Sequence, residues 1–163
     1  MVSQSKLDSA YMDCARSMAS LSYAVRKKVG AILVAPNGGI IAEGINGTPS
    51  GFENVCEDNI FHQWELNCGR CMTCKSEYTT DKLCKSVTKP EVLHAESNAI
   101  AKIAKSANSS LRATLYVTMS PCFECSKLII QCGITRVVYD EEYRITDGID
   151  LLLKAGVQVE KIK

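Results

Sequence analysis

The sequence carries almost no net charge, because nineteen lysines and arginines face eighteen acidic residues and leave +1 at pH 7. It lacks the strong basic excess that is typical of proteins binding long nucleic acids. It also lacks any apolar run close to the roughly 20 residues that span a bilayer. No signal-peptide core follows the polar start at residues 1–6. We expect a cytoplasmic protein (host cytoplasm if the source is viral), with neither a membrane nor a long nucleic acid as partner.

Cysteine, by contrast, is abundant, with nine residues among 163. Disulfides are rare in reducing compartments, so they do not account for this number in a cytoplasmic protein. Metal binding is the leading explanation wherever cysteines have the spacing of ligands. The length suits one domain with a sizeable core, and 46% apolar residues are typical of an ordinary globular protein. We therefore interpret residues 1–163 as a single domain.

The first part of the chain predicts a helix followed by a β-hairpin. An amphipathic helix should begin near residue 7, with Ser5 and Asp8 as its capping box. Its apolar face would consist of Leu7, Tyr11, Cys14, Met18 and Leu21. Residues 29–35 and 40–44 are two apolar strands around a Pro-Asn-Gly-Gly turn, which indicates a hairpin.

Helix and strand alternate in the later part of the chain. The expected elements are a helix at 94–107, a strand at 113–118, a helix from 120 to a cap at Gly133, a strand at 135–139, a helix at 147–154 and a strand at 157–162. This order predicts a three-layer α/β domain built on one central sheet. Residues 52–89 lack such periodicity, and we interpret them as a cysteine-rich insertion or long loop.

Two short segments carry residues suited to a catalytic metal, LHAE at 93–96 and SPCFEC at 120–125. Cys122 and Cys125 are three residues apart at the start of a predicted helix, so their sulfurs can share one ion. Pro121 would occupy the first helical position, where its missing N–H costs nothing. The positive end of the helix favours the thiolates that a metal requires.

His94 would be the third ligand of this site and would leave one position open, which is the pattern of a catalytic rather than a structural zinc. Glu96, two residues further on, is then the candidate for moving protons to and from the activated water. Taken alone, a CxxC segment can be a redox pair or two buried thiols, and a lone histidine can be a surface or capping residue. Together, at the starts of two predicted helices, the motifs favour Zn²⁺ bound by His94, Cys122 and Cys125, with Glu96 as catalytic residue.

The pairing of H-x-E with P-C-x-x-C resembles the signature of the zinc nucleobase deaminases. Within that group, the chain resembles the deoxycytidylate (dCMP) deaminases of bacterial and phage type, in the cytidine deaminase-like superfamily. The stretches that carry this resemblance are RKKVGA at 26–31, NGTPSG at 46–51, HAESNAI at 94–100, YVTMSPC at 116–122, CSKLII at 125–130 and YR at 143–144. The resemblance implies the superfamily's α/β fold, a three-layer α/β/α arrangement with a central mixed five-stranded sheet.

The resemblance also implies an activity and its control. The activity is zinc-dependent hydrolysis of dCMP to dUMP and ammonia, which supplies dUMP for thymidylate synthesis. The assembly would be a homo-hexamer, activated by dCTP with Mg²⁺ and inhibited by dTTP. Asn46 would hydrogen-bond the sugar 3′-hydroxyl, while Glu96 would act as the proton shuttle beside the zinc ligands.

The phosphate of such a substrate needs cationic or N–H donors. The cationic candidates are Arg26, Lys27, Lys28 and Arg144, and the predicted substrate-binding set also includes Ser120 and Tyr143. The basic residues at 26–28 would equally suit a solvated helix end. Tyr143 would either lie over the mouth of the pocket or simply pack against it.

The cysteine-rich insertion at about 52–89 offers a second metal site. Four of its thiols have metal-like spacing, Cys68, Cys71, Cys74 and Cys84, with Cys56 and His62 as alternatives. A closed Cys₄ zinc would stabilise a segment that has few apolar residues for a core of its own. The alternative is unliganded or redox-active thiols. Two cysteines outside the insertion, Cys14 and Cys132, are interpreted as core residues.

Three rival functions fit parts of the same pattern. A tRNA adenosine deaminase would share the zinc motifs, but it would need a basic surface and salt-sensitive binding. A free cytidine or deoxycytidine deaminase is the second rival, although that family usually has cysteine where His94 stands. A non-catalytic zinc-binding interaction module is the third, and it predicts no turnover and tolerance of Glu96→Gln.

Overall fold

The computed structural model describes residues 2–61, 63, 71–72, 74–75 and 83–162, with only the main chain of residue 83. The elements in this part of the chain are α1 (Gln4–Ser20), β1 (Gly30–Val34), β2 (Ile40–Ile45), β3 (Glu57–Phe61), β4 (Leu83–Thr88), α2 (Ala95–Ile103), β5 (Thr114–Met119), α3 (Phe123–Gln131), β6 (Arg136–Glu141), α4 (Asp147–Lys154) and β7 (Gln158–Lys161). The predicted hairpin and the later alternation of helix and strand are both present.

Five strands form one mixed sheet in the order β2-β1-β5-β6-β7. β1 is antiparallel to both β2 and β5, whereas β5, β6 and β7 run parallel. The α1 helix packs on one face of this sheet, and the opposite face is covered by α2, α3 and α4. The predicted three-layer α/β/α architecture with a central mixed five-stranded sheet is therefore confirmed.

The central strand β1 is buried on both faces, which places it between two hydrophobic clusters. Ala31 and Leu33 point into the larger cluster under α2, α3 and α4. Ile32 and Val34 point the other way, into the smaller cluster under α1. This alternation follows from the two-residue period of a strand, so a continuous apolar run is what a strand covered on both sides requires.

The buried face of α1 differs from the predicted one. The residues it buries are Asp8, Met12, Ala15 and Ala19, whereas Cys14 and Leu21 are exposed. The reason is close packing on Gly30, where an added Cβ would lie 2.5 Å from the Ala19 nitrogen and nearer still to the Ala15 carbonyl oxygen. Only small side chains permit this approach, which accounts for the alanines at 15 and 19, while Tyr11 and Met18 are half-buried against the smaller cluster.

The predicted capping box of α1 is also wrong, because Ser3 is the N-cap residue and makes no side-chain capping bond. The Asp8 carboxylate instead accepts hydrogen bonds from both terminal guanidinium nitrogens of Arg136, at 2.8 and 2.9 Å. It also accepts one from the Tyr116 hydroxyl at 2.6 Å. Its side chain is only 10% exposed. The Arg136 guanidinium, as the main cause, lowers the pKa of Asp8 from 3.8 to about 2.

We expect Asp8→Asn to lower the free energy of unfolding by about 3 kcal/mol near pH 6, because it breaks a largely buried ion pair. A carboxyl whose pKa is lowered by folding stabilises the protein fully above its unfolded pKa, here about 4. That contribution is lost as the pH falls through the folded value, about 2. Urea unfolding of both proteins at pH 6 and pH 2.5 should therefore show the difference shrinking in acid.

Asp13→Asn is the control for this prediction, because Asp13 pairs with Arg16 on the same helix but its side chain is 70% exposed. An exposed pair of this kind contributes about 0–1 kcal/mol. Equal losses for the Asp8 and Asp13 variants, or a loss for Asp8→Asn that does not depend on pH, would contradict the assignment.

The segment predicted to be a long loop is not irregular throughout. Its two ends form β3 and β4, which pair antiparallel as a separate two-stranded sheet. The register places Ile60 opposite Lys85 and Phe61 opposite Leu83, so Cys84 is the extra residue of a β-bulge. The two ends of the segment are therefore paired with each other.

Candidate active site and metal centre

Two helix N-termini meet at the carboxyl end of β5. His94 is the N-cap residue of α2, and Cys122 is the N-cap residue of α3. Pro121 therefore precedes the cap instead of occupying the first helical position, which corrects the prediction made for it. Cys125 lies in the first turn of α3 and is buried. The short connection after β5, and the pairing of Leu93 with Gly47 just after β2, bring both sequence motifs to one edge of the sheet.

The donor atoms of His94, Cys122 and Cys125 lie within 4.8 Å of one another. The His94 Nδ1 atom is 3.4 Å from the Cys122 sulfur and 3.4 Å from the Cys125 sulfur. Tetrahedral zinc has Zn–N of about 2.0–2.1 Å and Zn–S of about 2.3 Å, which separates nitrogen from sulfur by roughly 3.5 Å. The three side chains therefore fit a shared zinc ion without rearrangement.

Glu96 lies beside this triad with 4% of its surface exposed. Burial raises the pKa of its carboxyl group, and the nearby His94 ring opposes that rise. Hydrogen bonds from Cys125 and then His94 lower the pKa of Cys122 to about 3, while the pKa of Cys125 is raised by the same pairing. Glu96 is thus a carboxyl group suited to both gaining and losing a proton.

A cavity of about 250 Å³ opens onto Glu96 and the two ligands His94 and Cys122. The other residues that line it are Arg26, Lys27, Val29, Asn46, Glu57, Thr88, Val92, Ala95, Met119, Ser120 and Tyr143. Volume and lining suit one small molecule with a polar ring and an anionic end.

The structure brings five of the predicted substrate-binding residues to this cavity, Arg26, Lys27, Asn46, Ser120 and Tyr143. It does not bring the other two. The Lys28 ammonium group points back to the Ser20 carbonyl at 3.4 Å. The Arg144 guanidinium lies over the Tyr143 ring, 5.8 Å from its centre.

The side-chain amide of Asn46 fixes the backbone of the cavity wall through both its oxygen and its nitrogen. Its Oδ1 atom accepts the Val29 N–H at 2.8 Å, and its Nδ2 atom donates to the Lys27 carbonyl at 2.8 Å. An amide has a second N–H and a second lone pair. Asn46 can therefore fix the 27–29 segment and still offer a hydrogen bond to a ligand.

Two polar cavity residues were not anticipated from sequence, Glu57 and Thr88. Glu57 accepts the backbone N–H groups of Val25 and Arg26, at 3.0 and 3.2 Å. Thr88 accepts a hydrogen bond from the Arg26 guanidinium at 3.3 Å. Their sequence signal is weak, because both belong to the segment that lacked periodicity. It is the β3–β4 pair that carries them to the cavity.

A second group of potential metal ligands lies within the insertion. The sulfurs of Cys71, Cys74 and Cys84 are within 4.8 Å of one another. Cys68 and His62, which the sequence also suggested, lie outside the described residues. Cys56 is buried elsewhere, and Cys132 is half-buried, whereas Cys14 is exposed rather than in the core.

Among the described helices, none is both long and apolar enough to cross a membrane.

This combination of an α/β/α sheet, a His-Cys-Cys triad and an adjoining buried glutamate defines the class of zinc-dependent deaminases. Residues 5–141 match the family model described as the cytidine and deoxycytidylate deaminase zinc-binding region. The chain belongs to the cytidine and deoxycytidylate deaminase family.

Three proteins to which this chain is similar are deoxycytidylate (dCMP) deaminases. The deoxycytidylate deaminase of enterobacteria phage T4 is 36% identical over 150 residues, which cover 81% of this chain and 77% of the phage protein. The deoxycytidylate deaminase of Saccharomyces cerevisiae is 33% identical over 94% of this chain and 44% of the yeast protein. The crystal structure of dCMP deaminase from the cyanophage S-TIM5 in complex with dCMP and dUMP is 44% identical, covers 99% of both chains and has a TM-score of 0.77.

Proposed function

We propose that this chain is a zinc-dependent deoxycytidylate deaminase, which converts dCMP and water to dUMP and ammonia. The observation that carries the proposal is the shared cavity: two residues of the metal triad, His94 and Cys122, line it together with Glu96, and the cationic residues Arg26 and Lys27 also line it. A pyrimidine ring at the metal and a phosphate at the cations would use both. The relatives with 33–44% identity support the same substrate.

His94, Cys122 and Cys125 would hold the zinc ion, which supplies Lewis acidity at its open fourth position when bound. In the proposed reaction, Glu96 takes a proton from the attacking water as its oxygen bonds to C4 of the cytosine ring. Glu96 then protonates the ring nitrogen N3. Glu96 next carries the proton of the new C4 hydroxyl to the exocyclic nitrogen, so the C4–N bond breaks, ammonia leaves and the uracil carbonyl remains.

The remaining cavity residues would orient the nucleotide. Asn46 is proposed to bind the sugar 3′-hydroxyl with the hydrogen-bonding capacity that its backbone contacts leave over. Arg26 is proposed to bind the phosphate. Ser120 accepts the Tyr143 N–H at 2.8 Å, so it would hold Tyr143 at the edge of the cavity.

The proposal includes control of the activity, as in the family that the sequence resembles. We propose a homo-hexamer that is activated by dCTP with Mg²⁺, is inhibited by dTTP and supplies dUMP for thymidylate synthesis. Addition of dCTP with Mg²⁺ should raise turnover at low dCMP concentration, and dTTP should lower it. An oligomer of fewer than six chains, whose turnover of dCMP changes with neither dCTP nor dTTP, would contradict this part of the proposal alone.

The test of the substrate is ammonia release from dCMP, deoxycytidine and CMP by the purified zinc-loaded protein. We expect rapid turnover of dCMP and far less of the other two, because they lack the phosphate or carry an extra 2′-hydroxyl. Turnover of adenosine in a tRNA with none of dCMP would favour the RNA-directed alternative. Metal binding without turnover of any substrate would favour a zinc-binding interaction module.

The role of the phosphate can be tested at Arg26. Arg26→Gln should raise the KM for dCMP by about tenfold, because a charge-assisted contact to phosphate contributes about 1.5–3 kcal/mol. The KM for deoxycytidine, which has no phosphate, should change little. Lys28→Gln is the control, since Lys28 is turned away from the cavity. Equal effects of Arg26→Gln on both substrates would contradict the assignment.

A further inference from the structure

The group formed by Cys71, Cys74 and Cys84 is not used by the proposed reaction. The sulfurs of Cys71 and Cys84 are 3.7 Å apart, and all three sulfurs lie within 4.8 Å of one another. A disulfide would need sulfurs about 2.05 Å apart. Four-coordinate zinc with Zn–S of about 2.3 Å separates its sulfurs by roughly 3.8 Å. The observed spacing therefore matches thiolates around one ion.

We propose that Cys71, Cys74 and Cys84 bind a second zinc ion, separate from the one at His94, which fixes β3 and β4 against the substrate cavity. A structural zinc site takes four protein ligands. Cys68, three residues before Cys71, is the sequence-based candidate for the fourth and lies outside the described residues. The proposal rests on the three described thiols.

The burial of Cys71 supports a bound ion, with Cys84 half-buried and Cys74 at the surface of the group. Cys71 has no exposed surface, although several neighbouring side chains in this region face solvent, including Phe61 at 59% and Met72 at 51%. A two-stranded sheet with so little apolar cover is marginal on its own. Metal binding would supply the missing stabilisation, because its free energy becomes folding free energy.

The link to the substrate cavity runs along β4. Cys84 occupies the bulge of this strand, and Thr88, four residues further on and about 13 Å away, lines the cavity. Thr88 is paired in register with Glu57, which also lines the cavity and holds the Val25 and Arg26 backbone. Fixing Cys84 therefore limits the movement of the strand pair that positions Arg26.

The first test is the zinc content per chain of the wild type and of three single variants. Cys74→Ser and Cys84→Ser should each lower the content from two zinc ions to one. Cys14→Ser is the control, because Cys14 is exposed on α1, and it should keep two. A wild type with one zinc ion that Cys74→Ser leaves in place would overturn the proposal, as would a mass and thiol count that reveal a disulfide among these cysteines.

Wild-type protein alone provides a second test, which does not depend on the folding of any variant. Zinc X-ray absorption should give an average of more than two sulfur ligands per zinc, because the His94 site contributes two and the second site at least three. An average of two or fewer would overturn the proposal. Neither metal measurement depends on dCMP turnover, so a failure of the proposed function would be recognised separately.

The effect on the cavity, which does rest on the proposed function, is measured by the kinetics of Cys84→Ser. We expect the KM for dCMP to rise about fivefold or more while kcat changes less than twofold, since the metal triad and Glu96 are untouched. Loss of the second zinc with an unchanged KM would overturn its role in positioning the cavity wall.

Discussion

Glu96→Gln should lower kcat for dCMP deamination by about three orders of magnitude while leaving the zinc content and the fold unchanged. Glutamine has nearly the same shape as glutamate but cannot accept and return a proton, and positioned acid–base groups contribute about 10²–10⁴-fold to rates. Glu96 lines the cavity between His94 and the substrate space, and only 4% of it is exposed. Water or buffer therefore has little access with which to replace it.

Glu91→Gln is the matched control, because Glu91 precedes the same helix and does not line the cavity. It should keep nearly all of the activity. Zinc content and thermal unfolding should be measured for both variants. Values like those of the wild type would exclude a general loss of structure. A Glu96→Gln protein with full zinc and more than a tenth of wild-type kcat would show that another group moves the protons, or that the chain is a binding module.

Gly44→Ala should destabilise the protein strongly, because Gly44 packs directly on the α2 backbone. An added Cβ would lie 2.7 Å from the Ala99 nitrogen and closer still to the Ala95 carbonyl oxygen, both backbone atoms of α2. Overpacking of this kind costs about 1–3 kcal/mol and occasionally more. We expect about 3 kcal/mol less free energy of unfolding in urea. Turnover should also fall about tenfold or more, because α2 carries His94 and Glu96 and small misplacements are costly.

Gly47→Ala is the control for this prediction, since an added Cβ there meets no atom within 4 Å and φ is not positive. The two glycines are three residues apart in the chain, so their comparison isolates the contact with α2. Similar losses of stability for both variants would indicate a general sensitivity of the β2 region and would contradict the close approach of α2 to β2.

The parts of this structure that sequence could predict are those fixed by local pattern. The alternation of helices and strands predicted the three layers. The two metal motifs could be predicted to meet although they are far apart in the sequence, because each begins a helix beside the same edge of the sheet. His94 and Cys122 each cap a helix, so their direction follows from helix geometry once the sheet is formed. The start of α3 was misplaced by two residues, because Cys122 is the N-cap residue and Pro121 precedes it.

The parts that sequence could not predict depend on distant partners. Asp8 resembles a capping residue locally, yet it is buried by an ion pair with Arg136, 128 positions away. The close approach of Gly30 to α1 leaves room only for small side chains at Ala15 and Ala19. Glu57 and Thr88 reach the cavity only because β3 and β4 pair across the insertion. No local periodicity records any of these contacts.

The central claim is hydrolytic deamination of dCMP at the site formed by His94, Cys122, Cys125 and Glu96. Its most direct test is incubation of zinc-loaded protein with dCMP in ¹⁸O-labelled water, followed by mass spectrometry of the nucleotide and measurement of ammonia. The account predicts dUMP that carries one ¹⁸O atom at the base, one ammonia for each dUMP, and loss of both products in Glu96→Gln. Fully zinc-loaded, folded protein that leaves dCMP unchanged, or that forms dUMP without the label, would contradict it.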